Sequence, residues 1–285
     1  MSNKNTRPIG VHTSIAGGIS LSLERANELE CTAMQIFSHN PRGWHVKPLT
    51  KTEIARFRKL REQLAILPVI HTSYLINLSA KTNELLEKSI QLMKIEMDRA
   101  EALGIEYVVL HTGSASGVDP NMARAKAVDC LRILSGIGSW KTSKILLENT
   151  AGERGDITSS MKDLGTVMNE LGNDLIGGIC IDTCHAFAAG YNIASKTGID
   201  KLVKEIDNYI GRDRIKLIHL NDSKGEAGSG LDRHENIGEG MIGSEGLSLF
   251  INHKAFRKLP LILETPKKHE YDDLRNLQRT RELLL

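Results

Sequence analysis

An α/β chain forming a single TIM (β/α)8 barrel is what the sequence predicts, and three observations point there. Eight short apolar or β-branched runs recur along the 285 residues. The stretches between them carry helical periodicity, and strands alternating with helices imply parallel strands joined by right-handed crossovers. No Pro/Gly/Ser linker, low-complexity tract or composition shift divides the chain, so residues 1–285 read as one domain. Eight strands favour closure over an open sheet, and the length lies a little above the roughly 250 residues usual for such a barrel.

In chain order, residues 1–7 are polar and basic and read as a flexible tail without the apolar stretch of a signal peptide. Strands are expected at 9–14, 33–37, 69–72, 107–112, 145–148, 178–182, 216–220 and 261–264. Of the intervening helices, 84–103 is the clearest. Leu86, Ile90, Met93, Met97 and Ala100 repeat at steps of four and three, and Gly104 follows as a C-cap. Helices are also expected at 121–134, 161–171, 200–210 and 272–284. The Gly-rich stretches 114–120 and 223–240 read as long functional loops following strands.

Composition excludes some classes and leaves others open. Hydrophobic residues make up 40% and charged residues 25%, the values of an ordinary globular protein. A net charge of +2 neither implies nor excludes nucleic acid, because a barrel can gather its basic residues on one face. No run of about 18 apolar residues suggests a membrane span. Cys31, Cys130, Cys180 and Cys184 are too few for a disulfide framework and read as reduced thiols of a cytoplasmic protein.

Position carries the functional signal. His71, His111, Glu148 and Asp182 end the third to sixth strands, with His185 three residues after the last. His219 and Glu264 belong to the ends of the seventh and eighth, and Asp232 and His234 come from the loop after the seventh. In this fold those ends share one rim, where active sites sit. Any one histidine there is as often structural as functional. Carboxylates closing apolar strands, as in Leu146-Leu147-Glu148 and Leu261-Ile262-Leu263-Glu264, are costly unless paired or metal-bound. The rim strands supply no Lys or Arg, so the counter-charge is expected to be metal. Five imidazoles with four carboxylates suit Zn²⁺, with Mn²⁺ or Fe as alternative occupants of one position. Nine donors exceed the needs of one ion, so two or three are expected. Closely spaced ions suit in-line displacement at phosphorus. No thiolate is expected in reach of them.

Three blocks carry a family resemblance: Leu146-Leu147-Glu148-Asn149-Thr150-Ala151-Gly152, then Cys180-Ile181-Asp182-Thr183-Cys184-His185-Ala186-Phe187-Ala188-Ala189-Gly190, then His219-Leu220-Asn221-Asp222-Ser223-Lys224 with Asp232-Arg233-His234 and Ile237-Gly238-Glu239-Gly240. Gly10-Val11-His12-Thr13-Ser14, Asn40-Pro41-Arg42 and His71-Thr72-Ser73-Tyr74-Leu75-Ile76-Asn77-Leu78 add to them. With these the chain resembles the endonuclease IV family of apurinic/apyrimidinic endonucleases over about residues 9–264. The resemblance implies three zinc ions. His71, His111 and Glu148 would hold one. Glu148 would bridge to a second, completed by Asp182, His219 and Glu264. His185, Asp232 and His234 would hold the third.

It further implies hydrolysis of the phosphodiester 5′ to an abasic site in double-stranded DNA, leaving a 3′-hydroxyl and a 5′-deoxyribose phosphate. The nucleophile would be a metal-bound hydroxide positioned by Glu148 as the catalytic carboxylate. Trimming of blocked 3′ ends is implied too, by a monomer working inside the cell. Arg42, Tyr74 and Leu75 would enter the gap left by a flipped nucleotide, while Lys224, Arg233 and His12 are candidate phosphate contacts. Gly43 stands where some relatives carry a longer polar side chain, which removes one contact. Two rivals remain on the residues alone. One is a single-metal sugar isomerase or epimerase using Glu148, Asp182, His219 and Glu264. The other is a DNA-damage binding module without catalysis.

Overall fold

A computed structural model describes residues 7–115, 117–172 and 174–285. Eight parallel strands close into a barrel: β1 (Ile9–His12), β2 (Ala33–Phe37), β3 (Leu67–His71), β4 (Tyr107–His111), β5 (Lys144–Glu148), β6 (Ile176–Asp182), β7 (Ile215–His219) and β10 (Leu261–Leu263). Two short strands, β8 (Asp222–Ser223) and β9 (His234–Glu235), pair antiparallel in the loop after β7. Helices cover the outside: α1 (Leu21–Glu28), α2 (Lys51–Leu64), α3 (Asn83–Leu103), α4 (Pro120–Ile137), α5 (Met161–Asn169), the short α6 (Thr183–Ala188), α7 (Lys196–Tyr209), α8 (Gly243–Asn252) and α9 (Asp272–Glu282).

Each expected strand and helix is present, with no end moved by more than four residues. The largest shift is at α7, which starts at Lys196 rather than at 200, where the Ser195 hydroxyl accepts from Gly198 N and caps the first turn. Gly198 weakens the helical signal there. The helix runs so close to Asn192 that a Cβ at this position would lie 1.9 Å from its carbonyl oxygen.

Of the expected tail, residues 1–6 lie outside the described residues. Arg7 is instead buried. Its guanidinium donates to the carbonyls of Leu259 at 2.5 Å, Ile251 at 2.9 Å and Phe256 at 2.9 Å, which fastens the start of β1 to the segment leading into β10. Residue 116, in the expected loop 114–120, is also outside the described set. No helix among the described residues is long and apolar enough to cross a membrane.

Two apolar layers position the site. The larger lies between barrel and helices. The smaller is made of Ala33, Val69, Val109, Leu146, Cys180, Leu217 and Ile262, one residue from each of seven strands, all buried and packed on one another inside the barrel. Side chains alternate along a strand. Two residues further along each of those strands, the inward positions are Gln35, His71, His111, Glu148, Asp182, His219 and Glu264. An apolar plug therefore closes the barrel immediately beneath a polar layer.

Candidate metal centre

Nine candidate ligands identified from the sequence fall into overlapping groups at the C-terminal mouth. In the first, His71 Nε2 and His111 Nε2 lie 3.4 and 3.1 Å from Glu148 Oε2. In the second, His219 Nδ1 lies 3.0 Å from Glu148 Oε1, 3.2 Å from Glu264 Oε2 and 4.0 Å from Asp182 Oδ2. In the third, His185 Nε2 and His234 Nε2 lie 3.2 and 3.5 Å from Asp232 Oδ1 and 3.5 Å from each other. Within each group one donor atom per residue sits within 4.8 Å of the others. Glu148 belongs to the first two. Asp182 approaches the third, with Oδ2 3.7 Å from His234 Nε2.

The donor set fits metal ions better than it fits itself. Glu148 is fully buried, yet its Oε2 makes no hydrogen bond, although two imidazole nitrogens lie within 3.4 Å of it. A carboxylate oxygen left this way is expensive unless a cation takes it. Imidazole nitrogens with carboxylate oxygens are the donors of zinc sites. Burial works against the charge on Glu148, and His219, His111 and His185 outweigh it, holding the carboxyl well below its usual range. Burial likewise opposes charge on Asp232, but His185, His234 and His111 bring it down to about 2.

Three of the imidazoles are oriented by backbone. His71 Nδ1 faces Thr72 O at 2.8 Å, His185 Nδ1 faces Asn149 O at 3.0 Å and His234 Nδ1 faces Glu264 O at 3.0 Å. Bonds of this kind fix which ring nitrogen is free to bind a metal. Asn149 and Asn221 brace the carboxylates. Asp182 N donates to Asn149 Oδ1 at 2.9 Å, and Asn221 reaches Asp182 Oδ2 at 2.6 Å and accepts from Glu264 N at 2.8 Å. Asp182 also caps the short helix α6 (Thr183–Ala188), its Oδ1 accepting from His185 N at 2.8 Å, which turns His185 toward the mouth.

The loop carrying Asp232 and His234 is held by Asp222, a fully buried carboxylate. It accepts from the backbone N–H groups of Ser223, Gly238, Gly240, Ile242 and Gly243. Glycine is required at position 240, because a Cβ there would sit 2.4 Å from Ser223 O and 2.6 Å from Asp222 Oδ1. Gly238 adopts φ +78, in the left-handed region.

Where no thiolate is expected, two thiols lie near the donors. Cys180 groups with Glu148 and His219, and Cys184 with Asp182 and His234. Burial pushes both thiols up to about 12, which disfavours the thiolate in the ion-free protein. Strand parity signals Cys180, which shares a face with Asp182. Gln35, two residues beyond the inward Ala33, carries the same signal and is a site residue that the search for ionisable ligands misses.

Of the candidate DNA-contacting residues, Tyr74 and Arg233 line the cavity of about 460 Å³ over the centre, together with His71, His111, His185 and Asp232. Tyr74 does not pack beneath its loop. It is 68% exposed, with its ring 5.0 Å from that of Phe37. Arg42 is exposed on the neighbouring loop, which Ser73 ties down by donating to Pro41 O at 2.6 Å. Leu75 is half-buried and packs on the core. Lys224 is exposed and stands 3.9 Å from Glu235, outside the cavity lining. His12 is turned inward, 3.8 Å from Glu264, and burial lowers its pKa.

Comparison with known proteins agrees with this architecture. Residues 23–284 match a family described as a xylose isomerase-like TIM barrel. A protein named "Probable endonuclease 4" from Nitrosopumilus maritimus is 40% identical over 278 residues, covering 96% of this chain and 99% of the relative. One of the same name from Halothermothrix orenii is 40% identical over 261 residues, covering 91% and 93%. The crystal structure of endonuclease IV from Thermus thermophilus superposes with a TM-score of 0.85 at 36% identity, covering 97% of this chain and 98% of that one. A D-tagatose 3-epimerase-like protein, at 21% identity and a TM-score of 0.72, shares the fold. Resemblance in the three sequence blocks, a closed barrel with the donors at its mouth, and relatives matched nearly end to end place this chain in the endonuclease IV family.

Proposed function

We propose that the protein is a zinc-dependent DNA repair endonuclease that hydrolyses the phosphodiester 5′ to an abasic site in duplex DNA. Its products are a 3′-hydroxyl and a 5′-deoxyribose phosphate, and the same centre trims blocked 3′ ends. The observation that carries this reading is the gathering of nine nitrogen and oxygen donors around Glu148, whose Oε2 is buried without a hydrogen bond. His71, His111 and Glu148 would hold one ion, Glu148, Asp182, His219 and Glu264 a second, and His185, Asp232 and His234 a third. Mn²⁺ or Fe is compatible with the donors at one position. When bound, such ions polarise phosphoryl oxygens and make water acidic enough to ionise near neutral pH.

The chain's own residues supply the rest. Glu148 stands between two of the groups, where its carboxylate orients the attacking water and takes up its proton. Tyr74 and Arg42 rise beside the mouth on adjacent loops and fill the space left when the abasic nucleotide turns out of the duplex. Arg233, at the cavity wall, meets the phosphate backbone. The substrate places this work inside the cell, and one chain holds every donor, so a monomer suffices. A single-metal sugar epimerase would use only Glu148, Asp182, His219 and Glu264. That reading leaves His71, His111, His185, Asp232 and His234 without a role.

The test is a labelled duplex with one abasic-site analogue, beside an undamaged control, before and after chelation. One cut on the 5′ side, lost with the metal and restored by zinc, is expected. No cut by zinc-replete protein, with turnover of a free ketose, would move the assignment to the epimerase.

A further inference from the structure

All eight barrel strands contribute to the polar layer: His12, Gln35, His71, His111, Glu148, Asp182, His219 and Glu264. Gln35 alone among them cannot ionise, and it is fully buried. Its amide is used at both ends. Oε1 lies 2.8 Å from His219 Nε2, and Nε2 lies 2.6 Å from Glu264 Oε1 and 3.2 Å from His12 Nδ1. Chemistry fixes the orientation of the amide, because turning it over would set its oxygen against the Glu264 carboxylate. An amide oxygen only accepts, so His219 Nε2 must donate. The neutral ring then keeps its lone pair on Nδ1, the atom facing Glu148, Glu264 and Asp182. By occupying Glu264 Oε1, the same amide also leaves Oε2 turned toward that group.

We propose that Gln35 is the positioning residue of the Glu148–Asp182–His219–Glu264 group, fixing the tautomer of His219 and the rotation of Glu264 with one side chain. This rests on reading that group as a metal centre. The other three oriented imidazoles lean on main-chain carbonyls, so among these four His219 is the one whose orientation depends on a side chain. Partners of this kind are worth about 10–100-fold in metal affinity.

The test measures zinc binding by the full chain in competition with a chromophoric chelator, comparing the unaltered protein with Gln35→Met, which keeps the length and loses every bond. One ion is expected to weaken by about 10–100-fold while the others hold. Equal affinities for all ions in the two proteins would overturn the proposal while leaving the metal centre standing. An unaltered chain that takes up no zinc would remove both. A second measurement needs no variant. In the ¹⁵N spectrum of the zinc-loaded protein, His219 should carry its proton on Nε2, and a proton on Nδ1 would overturn the assignment.

Discussion

Replacing Asp222 with Asn is expected to release the loop that carries Asp232 and His234 without unfolding the barrel. In the native protein Oδ1 accepts from Ser223 N at 2.8 Å and Ile242 N at 3.0 Å. Oδ2 accepts from Gly238 N at 3.1 Å and Gly240 N at 3.0 Å, and Gly243 N is shared between the two oxygens. An amide turns one of these oxygens into an NH₂ group, so whichever way it sits, two N–H groups lose their acceptor and meet a donor. At about 1–3 kcal/mol for each buried donor left unsatisfied, the cost is about 2–6 kcal/mol. That is a large share of the roughly 5–15 kcal/mol that holds a typical domain. The barrel strands do not depend on these bonds, and the loop relieves the conflict most cheaply by opening locally. The third donor group would then lose Asp232 and His234 and keep only His185. Metal analysis should find one zinc fewer per chain, with protease cleavage appearing within residues 224–243. Full metal content and unchanged resistance to protease would refute the reasoning.

Three further outcomes are expected. Glu148→Gln preserves volume but removes the charge that His219 and His111 face, and single-turnover cleavage should fall by at least about 100-fold while DNA binding largely persists; near-normal rates would rule out its catalytic role. Tyr74→Ala should weaken binding to an abasic duplex by about 1–3 kcal/mol without moving the melting temperature, since its ring is mostly exposed; unchanged affinity by fluorescence anisotropy would count against a stacking contact. Zinc uptake at neutral pH should expel protons, chiefly from His185 and His219. Burial lowers His185 and His219, but Asp182, Asp232 and Glu148 raise the first, and Glu148 and Glu264 the second, well above the usual value. In the ion-free protein the stabilisation from these imidazoles is complete below about pH 6.5 and is lost as pH rises through their raised values. That from Glu148 is present above its usual carboxyl range and is lost as pH falls toward its depressed value. Calorimetry in buffers of differing ionisation enthalpy would count the protons, and uptake independent of the buffer would contradict this.

How far the sequence speaks depends on the distance over which each signal acts. Strand runs and helical repeats are local, so all eight barrel strands are legible, with errors confined to their ends. Glu264, expected inside the last strand, lies just past Leu263, its N–H bonded to the Asn221 side chain rather than to a neighbouring strand. The nine donors are legible because strand ends in a barrel share a rim. Gln35 is legible in principle, since it follows Ala33 by two, but a neutral amide among apolar residues raises no alarm. The work of Asp222 is not legible. Its distant partners lie 16–21 residues further on and are backbone N–H groups, which leave no residue signature beyond the glycines that let the loop approach. Arg7 reads as part of a tail because its three acceptors are carbonyls more than 240 residues away.

The three carbonyls behind His71, His185 and His234 bear on how the centre tolerates mutation. Every residue type carries a main-chain carbonyl. Any substitution at Thr72 that preserves the chain path therefore leaves the acceptor for His71 where it was. Those orientations are inherited from the course of the backbone and are shielded from single-codon change. His219 is set apart, because its acceptor exists only while position 35 encodes an amide. In a drifting lineage, or in a designed library, position 35 would be a place where a single ion could be loosened, tightened or exchanged while its neighbours stayed as they were.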